Sequence, residues 1–369
     1  MERLKQYAWQ MILGMALLLI VLFAFHNAGA YKTTIGKVVK VQTEETGSAT
    51  NYNSASENAS EPTYTQKLTV KVLNGTYKGK KITVKNSYEY SLIDTEKCRR
   101  GDQVFLNISG EGEISSATVS GIKRDQYGIL LLALLVYLVL ILAGKRGIFA
   151  LVSLAINIGI FVFALIMYEN GADLIRLCNI MIVIFTVCTL FIVNGVNKRT
   201  MIAIAATFMT TFISIALFRI VLEYGGDIDY ANLDYITGGQ DLETIFIASI
   251  SIAGLGAIMD VSVSISSALN ELVVKDPNVS FRQMIRSGRE LGYDIMGTMI
   301  NVLLFTYICG LMPLMIIKIK NQIRLFTIIR IQIPFEICRF LIGGIGIMLG
   351  IPISILLSAV LLKIRRKKL

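Results

Sequence analysis

Eight stretches of mostly apolar residues, each close to the length of a membrane-crossing helix, recur along the 369-residue chain. That repeat constrains the fold more than any other feature, because the hydrocarbon of a bilayer is spanned by about 20 apolar residues in a helix. The stretches are Trp9–Phe25, Tyr127–Ala143, Ile148–Met167, Cys178–Val196, Met201–Leu222, Thr244–Ala268, Ile295–Ile317 and Ile337–Leu362. The last three are interrupted by Gly, Ser, Asp or Pro, which suits helices packed against protein more than against lipid. Composition agrees: 54% of the residues are hydrophobic and only 17% charged, with a mean hydropathy of +0.62. An average soluble domain is about a quarter charged. The net charge of +10 does not point to nucleic acid, since the Lys and Arg are not gathered on one polar domain. A single histidine, His26, and five scattered cysteines leave little from which to build a zinc site or a disulfide framework. No cofactor is expected.

The basic residues set an orientation. With the amino terminus inside, the inner segments carry Arg3, Lys5, Lys145, Arg146, Lys198, Arg199, Lys275, Arg282, Arg286 and Arg289, then Lys363, Arg365, Arg366, Lys367 and Lys368. The short outer segments carry only Arg176, Lys318, Lys320, Arg324 and Arg330. The bias of about three to one places both termini in the cytoplasm. Four of the outer exceptions fall in Lys318–Pro334, whose mixture of Ile, Leu and Phe with Lys and Arg also suits a segment lying on the membrane surface. Residues 1–26 read in two ways. A basic start, an apolar run and Ala28-Gly29-Ala30 suit a cleaved signal peptide; the length of the run favours a retained anchor.

Between the first two spans, residues 27–124 are long enough for one small domain. Short alternating runs at Ile35–Val41, Lys67–Leu73, Lys80–Lys85, Gln103–Ile108 and Ile114–Val119 are separated by Asn74-Gly75, Lys78-Gly79, Arg100-Gly101-Asp102 and Gly110-Glu111-Gly112. This pattern predicts an antiparallel all-β sheet or small barrel outside the cytoplasm. Within it, residues 43–61 are rich in Ser, Thr, Asn and Glu without an apolar period, and predict a mobile loop. The domain either caps the membrane part or, through residues 31–124, captures a membrane-protein partner. Residues 125–369 then form a seven-helix membrane domain.

The costliest side chains stand in the sixth and seventh spans. At about 100° per residue, Asp260, Ser264, Ser267 and Glu271 share one helical face, and Asp294, Thr298 and Asn301 share another. A short inner loop joins the two spans, so the stripes are expected to pack together. A carboxylate at membrane depth is costly unless hydrated or paired. These seven residues are therefore the candidate pathway for a small cation or solute, with Asp260 as the binding or relaying group. The rival reading is interhelical glue made by the hydroxyls.

Lesser signals surround them. Glu223–Glu243 holds six acidic residues and no basic one, as an ordinary translocated loop or as a cation-gathering mouth. Residues 280–291 predict a cytoplasmic amphipathic helix capped by Ser280 and Gln283, with Phe281, Met284, Ile285 and Leu291 opposite Arg282, Arg286 and Arg289. In the last span, Gly343, Gly344, Gly346 and Gly350 before Pro352 favour close helix contact, and Glu336 and Arg339 are placed to neutralise each other.

The run from Gly256 to Leu272 (Gly-Ala-Ile-Met-Asp-Val-Ser-Val-Ser-Ile-Ser-Ser-Ala-Leu-Asn-Glu-Leu) resembles the signature of the YibE/F-like family of bacterial multipass membrane proteins. So do Ser287–Asn301, Tyr77–Lys81, Arg100–Val104, Glu336–Arg339 and Gly343–Ile353. The resemblance implies an extracytoplasmic β domain followed by seven membrane helices in a bacterial cytoplasmic membrane. Tyr293 and Val302 stand where the family pattern has Arg and Thr, so no positive charge is expected beside Asp294.

Together these readings predict a polytopic α-helical membrane protein of about eight spans with a small all-β domain between helices 1 and 2. Its expected role is a permease or channel-like protein. No nucleotide-binding P-loop is present, so flux would follow a gradient. The alternative is a non-catalytic scaffold or accessory subunit that displays the β domain. An intramembrane aspartyl protease is the least favoured reading, because Gly-x-Gly-Asp is absent and the two aspartates are read at different depths.

Overall fold

The computed structural model describes residues 2–50, 60–90, 92, 95–109, 116–224, 242–320 and 323–364. They divide into two compact units, Met1–Gly147 and Ile148–Leu369.

The first unit pairs two apolar helices with a barrel. Helix α1 (Glu2–His26) and α2 (Asp125–Ala143) pack together, with Gly14 of α1 lying against the Tyr137 ring of α2. Five strands follow α1 in the chain: β1 (Thr34–Thr50), β2 (Ser60–Val72), β3 (Lys81–Glu89), β4 (Gln103–Ser109) and β5 (Ser116–Ile122). They close in the order β1-β2-β3-β5-β4, with β4 returning to pair with β1 and β3 meeting β5 in parallel. This is the strand order of the five-stranded Greek-key OB barrel. Each of the five alternating runs thus contributes a strand among the described residues. The inward side chains, including Val38, Leu68, Val70, Val84, Val104 and Leu106, form its core. Gly36 occupies the corner where β1 pairs with both β2 and β4; a Cβ there would lie 2.3 Å from Val70 Cγ1 and 2.7 Å from Leu106 Cδ1. Gly75, Gly79 and Gly101 take positive φ at three of the expected turns.

One stretch differs from its composition. Thr43–Thr50 and Ser60–Glu61 extend β1 and β2 as a paired ladder, from Thr43↔Gln66 to Thr50↔Ser60, where a loop is predicted. Its residues 43–47 are exposed. Backbone pairing and Thr-rich strand propensity sustain such a ladder without a core of its own. Residues 51–59 lie outside the described residues.

The second unit is helical: α3 (Lys145–Glu169), α4 (Leu174–Asn194), α5 (Lys198–Tyr224), α6 (Leu242–Ala253), α7 (Leu255–Lys275), α8 (Phe281–Lys320) and α9 (Leu325–Ile364). The sixth predicted span is two helices, divided at Gly254. Helix α9 packs against α5, α6, α7 and α8 and forms the middle of the unit. Its Ile347, Ile351 and Ile355 meet Val261, Ile265 and Leu269 of α7 and Met284 and Leu303 of α8 in the largest apolar cluster. A second cluster joins Phe218, Phe246, Ile250 and Phe335.

The capped segment 280–291 is the first part of α8 rather than a separate helix. Ser280 and Gln283 form the reciprocal cap, with Gln283 N donating to Ser280 Oγ at 3.2 Å and Ser280 N to Gln283 Oε1 at 2.9 Å. Its apolar side faces protein: Gly288 and Gly292 lie against Ile355 and Ile351 of α9, and Phe281 and Ile285 join the same cluster. Likewise 318–334 is the end of α8 and the start of α9. Residues 321–322 are outside the described residues.

Candidate functional site

Helix α7 has two polar faces. Asp260, Ser264 and Glu271 are exposed and Ser267 is half-buried, while Ser262 and Ser266 on the opposite face are fully buried. Asp260 stands about halfway along the 33-residue apolar stretch Glu243–Lys275. Asp294, Thr298 and Asn301 of α8 are exposed as well. Thr298 Oγ1 donates to Ile295 O at 2.9 Å and Asn301 Nδ2 to Gly297 O at 2.9 Å, so each is satisfied by its own helix. The expected packing of one stripe on the other does not occur. No hydrogen bond or ion pair joins them among the described residues, because α8 turns its small residues Gly288 and Gly292 to α9. The stripes therefore lie on the outer surface of the helical unit.

The buried polar groups lie elsewhere, in a seam among α5, α7 and α9. Thr207, Thr210, Thr211 and Ser214 of α5 occupy one face at helical spacing; Ser262 and Ser266 of α7 and Ser354 and Ser358 of α9 are buried with them. Ser354 Oγ donates to Ser262 Oγ at 3.2 Å. Gly346 and Gly350 bring α9 close, with Ser214 Oγ 3.3 Å from a Cβ built at Gly346. Thr207 bonds back to Ala203 O at 2.8 Å, whereas the hydroxyls of Thr210, Thr211, Ser214 and Ser358 have no partner. The helical spacing of Thr207, Thr210, Thr211 and Ser214 is the sequence signal of this seam, one that carries no charge. At Gly254 the chain approaches Gly343, whose Cα lies 3.2 Å from a Cβ built there, so α6–α7 and α9 are in close contact at this point. Beside it, Arg339 donates to Glu336, and its guanidinium lies 5.8 Å from the Phe246 ring centroid.

Of the acidic segment, Glu223 ends within α5 and Glu243 stands in the first turn of α6; Asp227, Asp229, Asp234 and Asp241 lie outside the described residues. No group of three or more His, Cys, Asp or Glu could hold a metal ion among the described residues.

Eight helices among the described residues are long and apolar enough to cross a membrane. With the five-stranded barrel, they define a multipass membrane protein carrying a small β domain near its amino terminus. Residues 29–122 match the YibE/F family N-terminal domain and residues 131–364 the YibE/F-like protein model, and the chain belongs to the YibE/F-like family. No curated protein and no solved structure matches it significantly.

Proposed function

We propose that this protein is a gradient-driven permease or channel-like protein for a small cation or solute. In this reading it sits in a bacterial cytoplasmic membrane with both termini inside and the barrel outside. The observation that carries the reading is Asp260, a carboxylate midway along an apolar stretch and outside the protein's own core. Lipid cannot stabilise that charge; water, a cation or a polar partner can. Ser264, Ser267 and Glu271 extend the same face, and Asp294, Thr298 and Asn301 offer further oxygen ligands on α8. In proteoliposomes, Asp260→Asn abolishes flux while the purified variant keeps its wild-type thermal stability. Unchanged flux refutes the role of Asp260.

The exposed β1–β2 ladder favours a second reading, in which residues 31–124 engage a membrane-protein partner and the chain serves as an accessory subunit. Under it, Asp260→Asn leaves cellular function intact, and shortening the ladder releases a co-purifying protein.

A further inference from the structure

The barrel and the ends of α1 and α2 enclose a cleft of about 830 Å³. His26 belongs to the last turn of α1 and Gln126 and Tyr127 to the first turn of α2; Lys37, Lys78 and Gln103 come from the barrel side. No Asp or Glu lines it, and neither lysine pairs with a carboxylate among the described residues. A neighbouring cleft of about 890 Å³ is different: Glu96 and Asp102 balance its Arg99 and Arg124, and Glu96 bridges Arg124 at 3.1 Å.

The basic cleft also holds acceptors that lack donors. Gln126 is 7% exposed and its Oε1 has no partner; Gln103 donates from Nε2 to Phe25 O at 3.1 Å, yet its Oε1 is buried and unpaired. A buried amide oxygen without a donor costs free energy that a suitable ligand recovers. His26 Nδ1 donates to Leu22 O at 3.0 Å, which leaves Nε2 unengaged. The ligand that complements this set has an anionic centre for the two lysines and hydroxyl donors for the two amide oxygens.

Place narrows the source. Both helices are long and apolar enough to cross a membrane, and the cleft lies at their barrel-side ends, where a lipid headgroup would stand. The Phe25 and Tyr127 rings meet edge-to-face at 6.2 Å at this level, where aromatic side chains mark the boundary between hydrocarbon and water. We propose that the cleft binds a glycerol phosphate ester, supplied as the headgroup of an anionic glycerophospholipid such as phosphatidylglycerol. The phosphate lies between Lys37 and Lys78, and the Gln103 and Gln126 side chains, whose amide oxygens are closed off in the ligand-free chain, turn to accept from the glycerol hydroxyls. This inference stands apart from any role of Asp260.

The full-length protein in detergent is titrated with dioleoylphosphatidylglycerol, dioleoylphosphatidylcholine and sn-glycerol 3-phosphate. Native mass spectrometry reads adducts, and thermal unfolding reads stabilisation. One phosphatidylglycerol is retained by the wild type, while phosphatidylcholine is displaced readily. Because both lysines are exposed, Lys37→Gln/Lys78→Gln folds normally and binds about thirty-fold more weakly, from about five-fold per lysine at a membrane surface. Equal affinity for free glycerol phosphate supports the same site with a soluble ester as its source. Wild-type affinity in the double variant, or equal retention of phosphatidylcholine, overturns the proposal. Gln126→Leu supplies an independent check: it is no less stable than wild type without lipid, yet gains less stability when phosphatidylglycerol is added. A loss of lipid-free stability would mean that its amide is already paired, and would also overturn the proposal.

Discussion

Lys123 is the most consequential charge in the first unit, and its removal has a calculable effect. The side chain is fully buried; Nζ lies 3.0 Å from Asp125 Oδ1, donates to Ala24 O at 3.0 Å and sits 5.5 Å from the Tyr31 ring centroid. Tyr31 OH donates to Asp125 Oδ2 at 2.6 Å. One ammonium thus ties the end of α1 and the start of α2 to the last barrel strand. Removing one partner of a buried ion pair costs about 3–5 kcal/mol, mostly because the other is left uncompensated. Asp125 keeps Tyr31 on Oδ2, but the Oδ1 that faces Lys123 is buried, so Lys123→Met costs at least the bottom of that range, about 3 kcal/mol. The assay is amide hydrogen exchange of the full-length protein, which reads local opening free energies. Peptides covering Ala24–Tyr31 and Ile122–Tyr127 should exchange about a hundredfold faster in the variant, at about 1.4 kcal/mol per decade. Asp125→Asn leaves a buried ammonium and costs at least as much. The double variant should lose about 1–3 kcal/mol less than the sum. Exchange raised less than five-fold in Lys123→Met, or additivity across the cycle, would refute the junction.

Three further outcomes follow from the barrel. Gly36→Ala should lower its stability by about 2–3 kcal/mol, because the new methyl overlaps Val70 and Leu106 and overpacked cores cost that much; wild-type exchange of β1 and β4 amides would contradict this. Burial, aided by Asp102 and Glu96, pushes the Cys98 thiol up to about 11. At pH 8 its thiolate is about one part in a thousand, so iodoacetamide should modify it only after unfolding in urea; labelling of the folded protein at the unfolded rate would exclude that environment. The hydrogen bond to Asp125, then burial and the carboxylate charge, hold Tyr31 above its ordinary value of 10.0. A raised folded-state value means its contribution is complete below pH 10 and is lost as pH climbs through the higher value. A difference titration of phenolate absorbance between wild type and Tyr31→Phe should show one residue ionising late, and a midpoint near 10 would count against the hydrogen bond.

The strands and spans were legible because burial on one face, or on all faces, leaves a period in the sequence. Leu68, Val70, Ile82 and Val84 alternate with polar neighbours, and the positive-φ glycines Gly75, Gly79 and Gly101 fall at turns where composition put them. Features made by contact between distant segments left no such period. Lys123 reads as one more basic residue beside a span, and only the position of Ala24 O and Asp125 makes it a buried tie. The same holds for Gln66, 1% exposed, which donates to Cys98 O at 3.0 Å and accepts from Cys98 N at 2.9 Å and from Asn86 Nδ2 at 3.1 Å. That network pins the β3–β4 connection to the barrel, yet in the sequence Gln66 is a polar residue just before an alternating run, with no period to mark it. The close approach of Gly254 to Gly343 likewise joins segments far apart in the chain.

The polar residues of the helical unit show why a search by cost finds some sites and misses others. A carboxylate in a span has no cheap refuge within its own helix, so Asp260 is conspicuous wherever it faces. A Ser or Thr has such a refuge: Thr186 and Thr207 donate to carbonyls four residues back in the same helix, Ile182 and Ala203. Such hydroxyls can be buried or exposed at little cost, and packing decides between the two. In the run Val261–Ser267, Ser262 and Ser266 are buried, Ser262 against Ser354 of α9, while Ser264 is left outside with Asp260. Periodicity alone leaves open which serine face turns inward; here α9 meets the Ser262 face through Ser354, 92 residues along the chain. The seam therefore bears on how α5, α7 and α9 pack, and the outer stripe is the polar surface that this packing leaves free.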